Sequence, residues 1–299
     1  MSTLWGIDLG GTKIEGIVLD KNNGNIISRL RVPTEGHLGY DHVLGQIHKL
    51  IGLLEQESGQ KAATIGMGTP GTLDPHLQQM KNCNSTSLNE KNLKADLEIL
   101  TGKVFRLSND ANCFAVAEAR MGIVPDIMPE AQVVFGIIMG TGVGGGIVVN
   151  GQVLNGRHGI AGEWGHNFLD TSGGPCYCGQ IGCVETVLSG PGMERYYYSI
   201  SGVKKTMKEI SASFNAQNDP YAVKTYERMY HFFGKAVGVV INILDPDIIV
   251  IGGGVGNIDE LYTFGVEELK KHVNNPRLDT IITKPKLGDS AGVFGAAHL

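Results

Sequence analysis

The sequence predicts an α/β protein built as two duplicated halves facing each other across a cleft, and three observations carry that expectation. Apolar stretches of strand length alternate with stretches of helical periodicity, which is the pattern of helices packed on a sheet. The strands end in glycine-rich or polar loops, where such sheets hold ligands. An opening motif of strand, glycine turn and strand also recurs at a constant offset of 130, so that Gly10 meets Gly140, Gly16 meets Gly146, and Ile17 and Val18 meet Ile147 and Val148. That period is too long for a solenoid and suits duplicated domains.

Residues 4–9, 13–19 and 26–32 are short β-prone runs broken by Gly10 and Gly11 and by Asn22, Asn23 and Gly24, which predicts a three-stranded antiparallel meander. Residues 40–58 place Val43, Leu44, Ile47, Leu50, Ile51 and Leu54 on one helical face, and a strand at 64–67 follows, ending in Gly68, Thr69, Pro70 and Gly71. A second unit has a helix near 93–100, a strand at 104–107 and a helix at 111–121, and residues 122–129 have the composition of a linker. The pattern then restarts with strands at 133–139, 146–149 and 152–154, the last two joined by an Asn150–Gly151 hairpin turn. Helices are expected at 189–200, 211–216 and 222–244. The last of these stops at Asp245 and Pro246, before an apolar strand at 248–251 and the run Gly252, Gly253, Gly254. A final glycine-capped helix is expected within 288–299. The predicted domains are 1–121 plus 287–299 and 122–286, the second carrying a structural zinc.

With 299 residues and a net charge of -5, the chain has the size for two domains and no global field favouring nucleic acid or an acidic membrane. The expected partner is a small solute. No stretch reaches the length of a membrane span, no secretory leader precedes Leu4, and Cys83 and Cys113 stand far apart, so a reducing cytoplasm is expected.

His166, Cys176, Cys178 and Cys183 are separated by nine, one and four residues, a complete tetrahedral zinc set held close in sequence. A closed shell leaves no position for an activated water, so this zinc is expected to shape backbone. Glu163 and Glu185 flank it, which predicts the floor of a polar binding site.

Glycine turns at 8–13, 140–146 and 252–256 each follow an apolar strand, and bare amides at strand ends suit phosphate oxygens. None has Walker or dinucleotide spacing, so the evidence is their joint occurrence with Thr12, Lys13 and Thr141. Asp8 is expected to hold water around a magnesium ion. Asp110, between the 104–107 strand and the following helix, is expected both as N-cap and as a general base for a hydroxyl attacking phosphorus. With Asn84, Asn109, Glu163 and Glu185 it forms a donor and acceptor set suited to a polyhydroxylated ligand.

These residues carry a resemblance. Asp8 through Lys13, Asn109 through Asn112, Gly140 through Gly142, and above all Gly162, Glu163, Trp164, Gly165 and His166 with the cysteines, resemble the ROK (repressor, open reading frame, kinase) sugar kinases. The likeness spans essentially the whole chain. It implies an actin-like, ribonuclease-H-like duplicated fold, a final helix that returns to the first domain, ATP with magnesium, and a homodimer. It also implies Asp110 as catalytic base, and Asn109, Glu163, His166 and Glu185 as sugar contacts, with Gly71 and Asn84 expected beside them. His166 would bind zinc through one ring nitrogen and a sugar hydroxyl through the other. Asp8, Gly10, Gly11, Thr12, Lys13, Gly140, Thr141, Gly142, Gly252, Gly253 and Gly254 would serve the nucleotide.

Lys81 through Asn89, with Trp164 and Asn167, resembles bacterial fructokinases that also accept mannose, so transfer to the 6-hydroxyl of fructose is the expectation. N-acetylglucosamine kinase and glucokinase are the alternatives within the class. A sugar-responsive ROK regulator lacking a DNA-binding domain is the alternative outside it; Asp8 lies too near the start for a helix-turn-helix ahead of it, and the charge balance offers no basic surface.

Overall fold

The opening meander forms because β1 (Thr3–Leu9), β2 (Lys13–Asp20) and β3 (Ile26–Pro33) are tied by turns at 10–12 and 21–25, in the register Leu9↔Ile14 and Lys13↔Pro33. The computed structural model describes residues 2–299. Helix α1 (Tyr40–Ser58) buries Val43, Ile47, Leu50, Ile51 and Leu54 and ends on Gly59, whose φ of 65° is left-handed. Strand β4 (Thr64–Thr69) and the small hairpin of β5 (Thr72–Leu73) and β6 (Met80–Lys81) follow. Next come α2 (Leu93–Thr101), β7 (Val104–Asn109) and α3 (Asp110–Arg120). The expected linker at 122–129 contains one helical turn, α4 (Val124–Ile127), because Pro125 stands in its first turn where no amide partner is needed.

The second half opens with β8 (Val133–Met139), β9 (Val143–Val149) and β10 (Gln152–Val153). It continues with α5 (Val184–Leu188), α6 (Gly190–Ser201), α7 (Met207–Asn215), α8 (Pro220–Leu244), β11 (Ile248–Gly252), α9 (Phe264–Leu269), β12 (Ile281–Thr283) and α10 (Ala291–Ala297). Asp219 starts α8 by accepting from the Tyr221 and Ala222 amides, and Asp245 closes it at a φ of 47°. Sequence reasoning missed β5, β6, α5, α9 and β12. All are short, and none carries enough periods of apolar spacing to stand out from loop.

The two sheets have one topology. Their orders are β3-β2-β1-β4-β7 and β10-β9-β8-β11-β12. In the first, β2 is antiparallel to β1 and β3, whereas β1, β4 and β7 are parallel. In the second, β10 is antiparallel to β9, and β8, β11 and β12 are parallel. The repeat seen in the glycines is therefore a repeat of topology, with β8 standing to β1 as β9 stands to β2.

The chain clusters into one unit of Met1–Glu130, Gly146–Ala161 and Lys286–Leu299 and another of Ala131–Gly145 and Gly162–Pro285. Residues 122–130 and 146–161 thus depart from the predicted division, and for 146–161 two contacts within the first unit explain why. Gly146 lies so close to α3 that a Cβ would stand 2.6 Å from the Ala111 carbonyl oxygen, and Arg120 donates from Nε and Nη2 to the Gly151 carbonyl. The chain's end returns to the first unit as the family resemblance implied. Fully buried Glu118 accepts from the Ile123, Lys286 and Leu287 amides. Helix α10 then lies on β1, β4 and α3, seated by glycines: a Cβ on Gly66 would be 1.7 Å from the Ala296 carbonyl oxygen. Beneath lies an apolar core including Ile7, Ile14, Leu50, Leu54, Ile65, Leu97 and Phe105, each fully buried aliphatic or phenylalanine side chain contributing about 1.5–3 kcal/mol.

These glycines make opposite demands, which urea unfolding will separate. Gly66→Ala is expected to cost at least about 2–3 kcal/mol, since its Cβ meets backbone that cannot yield. Gly52→Ala, within α1 and with nothing within 4 Å, is expected to stabilise by about 0.5–1 kcal/mol.

Candidate active site

In the first unit the sheet register aligns the predicted residues at the strand ends. Asp8 pairs with Gly68 across β1 and β4, and Thr69 with Asn109 across β4 and β7. Buried Thr69 donates its hydroxyl to the carbonyls of Gly71 and Ser108, joining those two loops. Asn84 reaches the same place, its amide donating to the Pro70 carbonyl at 3.4 Å, while Gly71 packs too tightly on Lys81 and Cys83 to accept a Cβ. Gly71, Asn84 and Asn109 are thereby gathered together.

The helix after β7 corrects one expectation. Asn109, not Asp110, is the N-cap: its Oδ1 accepts from the Asn112 amide at 2.8 Å. Asp110 is the first helical residue, and Oδ1 of its carboxylate accepts from the Ala111 amide at 2.8 Å. Asp110 is exposed at the surface, yet nearby protein desolvates its carboxyl and raises its pKa, against the pull of the Ala111 amide and its own. Asp8 is raised further, to about 6, first by desolvation and then by the charges of Asp110 and Glu15, with Lys13 opposing. Asp8 and Asp110 thus form an electrostatically coupled pair at the mouth of the sheet. The 10–12 turn beside them is braced by Thr34, which donates its hydroxyl to the Gly10 carbonyl and its amide to the Thr12 carbonyl. Gly11, Thr12 and Lys13 remain exposed. A separate recess of about 740 Å³ lies along the outer side of β7; Asn109 lines it, but Asp110, Gly71 and Asn84 do not.

In the second unit the predicted glycine loops are neighbours. A Cβ on Gly140 would lie 3.8 Å from the Gly254 amide nitrogen, and Gly253, with φ 83°, packs on the backbone of Met139 so closely that only glycine fits. The Gly190 amide donates to the Gly140 carbonyl, and Thr141, Gly253 and Gly254 are exposed. Glu185, at the start of α5, spends one carboxylate oxygen on the Val143 amide at 2.9 Å, fixing that loop from behind.

The Gly162–His166 segment is locked to the same edge. Buried Trp164 donates its indole N–H to the Gly144 carbonyl and meets Phe135 edge-on, and Gly165 lies where a Cβ would strike the Val143 carbonyl at 2.0 Å. Glu163 and His166 flank this anchor on either side.

His166, Cys176, Cys178 and Cys183 converge, their candidate ligand atoms all within 4.8 Å of one another. Cys176 Sγ stands 3.6 Å from His166 Nδ1, and Cys178 Sγ 3.6 Å from Cys183 Sγ. Around a tetrahedral zinc, two thiolates at about 2.3 Å subtend an edge of about 3.8 Å, and a thiolate and an imidazole about 3.5 Å. The four donors therefore fit the ion, with Nδ1 as the imidazole ligand, and the sulfurs stand too far apart for a disulfide. Nε2 is 3.0 Å from the Tyr177 hydroxyl rather than open. Tyr177 is largely exposed, and partial desolvation, then the charges of Glu185 and Glu163, push its phenol up to about 12, which places all three groups in one neighbourhood. Sequence reasoning missed Tyr177, Thr34 and Thr69. Tyr177 had a signal, since a residue inside Cys-x-Cys is held beside whatever the cysteines bind; the two threonines had none.

Duplicated β-β-β-α-β-type sheets, acidic residues and glycine loops at their strand ends, and a Cys3His knot define an actin-like α/β protein of the kinase and regulator class. The chain belongs to the ROK family, whose model matches residues 4–299. It is 36% identical to an N-acetyl-D-glucosamine kinase of Histophilus somni over 99% of this chain and 98% of the relative. Among solved structures it is similar to a ROK hexokinase from Thermus thermophilus, with a TM-score of 0.88, 30% identity, and coverage of 99% and 97%. A ROK glucokinase from Streptomyces griseus, in complex with glucose and AMPPNP, matches with a TM-score of 0.76, 26% identity, and coverage of 99% and 98%.

Two measurements check this geometry. Because Asp8 binds its proton more tightly in the folded than in the unfolded chain, its contribution is most favourable below about pH 4 and is lost as pH rises through about 6. Asp8→Asn is therefore expected to gain on the order of 1–2 kcal/mol over wild type at pH 7.5 after allowance for solvent screening, and little at pH 4, in urea melts across that range. Cys178→Ser is expected to lose stoichiometric zinc and to lower the melting temperature; zinc retained at one per chain would remove this thiol from the ligand set.

Proposed function

We propose that this protein is an ATP-dependent hexose kinase that transfers the γ-phosphoryl group to the 6-hydroxyl of N-acetyl-D-glucosamine. The observation that carries the catalytic part is the division of labour at the start of α3. Asn109 caps the helix, which leaves the Asp110 carboxylate, raised above its ordinary value, to accept the proton of the attacking hydroxyl. A base whose pKa lies nearer the working pH is the more effective one. Phosphoryl transfer otherwise asks for positioning and charge stabilisation. The Gly10–Lys13, Gly140–Gly142 and Gly252–Gly254 backbones supply amides for nucleotide phosphates, and Lys13 an opposing charge. Asp8 fits the hydration shell of the magnesium that accompanies ATP: a carboxylate crowded by Asp110 and Glu15 gains from a shared cation.

Glu163, His166 and Glu185 fit the sugar hydroxyls, with Gly71, Asn84 and Asn109. In this reading zinc closes the Cys3His knot and fixes the imidazole's tautomer and aim. Nε2 then exchanges the Tyr177 hydroxyl for one of the sugar's. The choice of sugar rests on the relatives. The sequence alone led to fructose, through residues 81–89. Relatives matching 99% of the chain at 36% and 35% identity, from Histophilus somni and Yersinia enterocolitica, are N-acetyl-D-glucosamine kinases, and a likeness of that length outweighs a nine-residue stretch.

An ADP-release assay over N-acetylglucosamine, N-acetylmannosamine, glucose, mannose and fructose tests the assignment. The highest kcat/KM is expected on N-acetylglucosamine; a preference for fructose would restore the expectation from residues 81–89, and no turnover on any sugar would defeat the kinase. Asp110→Asn is expected to lower kcat by at least about 10²–10⁴-fold with sugar binding retained in calorimetry. Unchanged kcat would remove this carboxylate from the mechanism.

A further inference from the structure

Helices α8 and α9 bring together a second set of metal-binding side chains, unrelated to the cysteine knot. His231 Nδ1 stands 3.1 Å from Glu268 Oε1, and His272 Nε2 stands 3.4 Å from the same oxygen. The three donor atoms lie within 4.8 Å of one another. The imidazoles are not stacked, their centroids being 6.1 Å apart at 71°, so each keeps a nitrogen toward the carboxylate.

The arrangement is seated by the fold. Three and seven residues after His231, on the same side of α8, Gly234 and Gly238 make a notch. A Cβ on Gly234 would lie 2.8 Å from Glu268, and one on Gly238 2.7 Å from the Cβ of His272. One turn further on, Asn242 donates to the His272 carbonyl and accepts from the Asn274 amide, tying down the segment after α9. The two glycines and the asparagine thus hold Glu268 and His272 against the helix that carries His231.

The donor set selects the ion. Two imidazoles and one carboxylate suit zinc and its late first-row neighbours, and are a poor match for calcium or magnesium. With Zn–N of about 2.0–2.1 Å and Zn–O of about 2.0–2.2 Å, imidazole nitrogen and carboxylate oxygen on one ion stand about 2.9–3.5 Å apart, depending on the angle at the metal. Both observed spacings fall in that range. Lys271 bonds the other carboxylate oxygen, Oε2, which leaves Oε1 to the ion. His231 is half exposed, so water can complete the coordination. We propose that His231, Glu268 and His272 form a second zinc site that clips α9 and its following turn to α8.

The test uses the full-length chain without an affinity tag, equilibrated at micromolar buffered free zinc, with zinc per chain counted by mass spectrometry. Wild type is expected to hold one zinc more than the His231→Ala, His272→Ala double variant, whatever the cysteine knot contributes, since that knot is common to both. Glu268→Gln, which still accepts from both imidazoles, is expected to lose the same single zinc. Kinase turnover unchanged in the variants shows them folded, and if the double variant does not fold, Glu268→Gln decides. The melting temperature of wild type is expected to rise with free zinc over the micromolar range, with the rise attributable to this site missing from the variants. Equal zinc content in wild type and Glu268→Gln, or an additional zinc that survives both sets of substitutions, overturns the proposal.

Discussion

The second unit depends on one constraint: a segment with almost no regular structure, residues 162–183, must keep a fixed backbone course. Two attachments do this. Trp164, buried and bonded to the Gly144 carbonyl, fastens the start of the segment to the sheet edge, and Gly165 permits a backbone approach that no other residue allows. The Cys3His knot fastens its far end, and Cys183 leads straight into α5 and Glu185. A ring nitrogen committed to a metal would fix the imidazole's orientation and leave Nε2 to its hydroxyl partner, which loop hydrogen bonds alone would not secure.

The first unit solves the equivalent problem with regular structure. Parallel strands β1, β4 and β7 end level with one another, so Asp8, Thr69 and Asn109 are placed by register. The cost is electrostatic. Asp8 and Asp110 are close enough for the charge of Asp110 to raise the pKa of Asp8. Under the proposed function, such crowding suits a site that receives a cation and a developing charge.

Much of the fold was legible in the sequence because its signals are local. The β1–β2–β3 meander, α1 and α8 follow from alternation, helical spacing and caps, and the duplicated sheet from glycines recurring at one offset. What was illegible depends on contacts between distant residues. Asn and Asp are both good caps, and only the backbone at position 109 decides that Asn109 takes the role and frees Asp110. Nothing near residues 146–161 announces that Gly146 packs on the Ala111 carbonyl and carries that hairpin into the first unit. Asp110, Glu163, Glu185 and the His166–Cys183 set stood out as candidates, since they belong to short motifs whose chemistry is stated by residue type. The choice of hexose was not legible, because residues 81–89, which led to fructose, state no chemistry by residue type.

The account stands on a closed ion in the 166–183 knot, and X-ray absorption at the zinc edge tests this most directly. On Glu268→Gln, which lacks the second site, the account predicts a four-coordinate zinc with three sulfurs at about 2.3 Å and one nitrogen at about 2.0–2.1 Å. Protein that is folded and active yet lacks zinc, or whose zinc shows no sulfur neighbours, would contradict it.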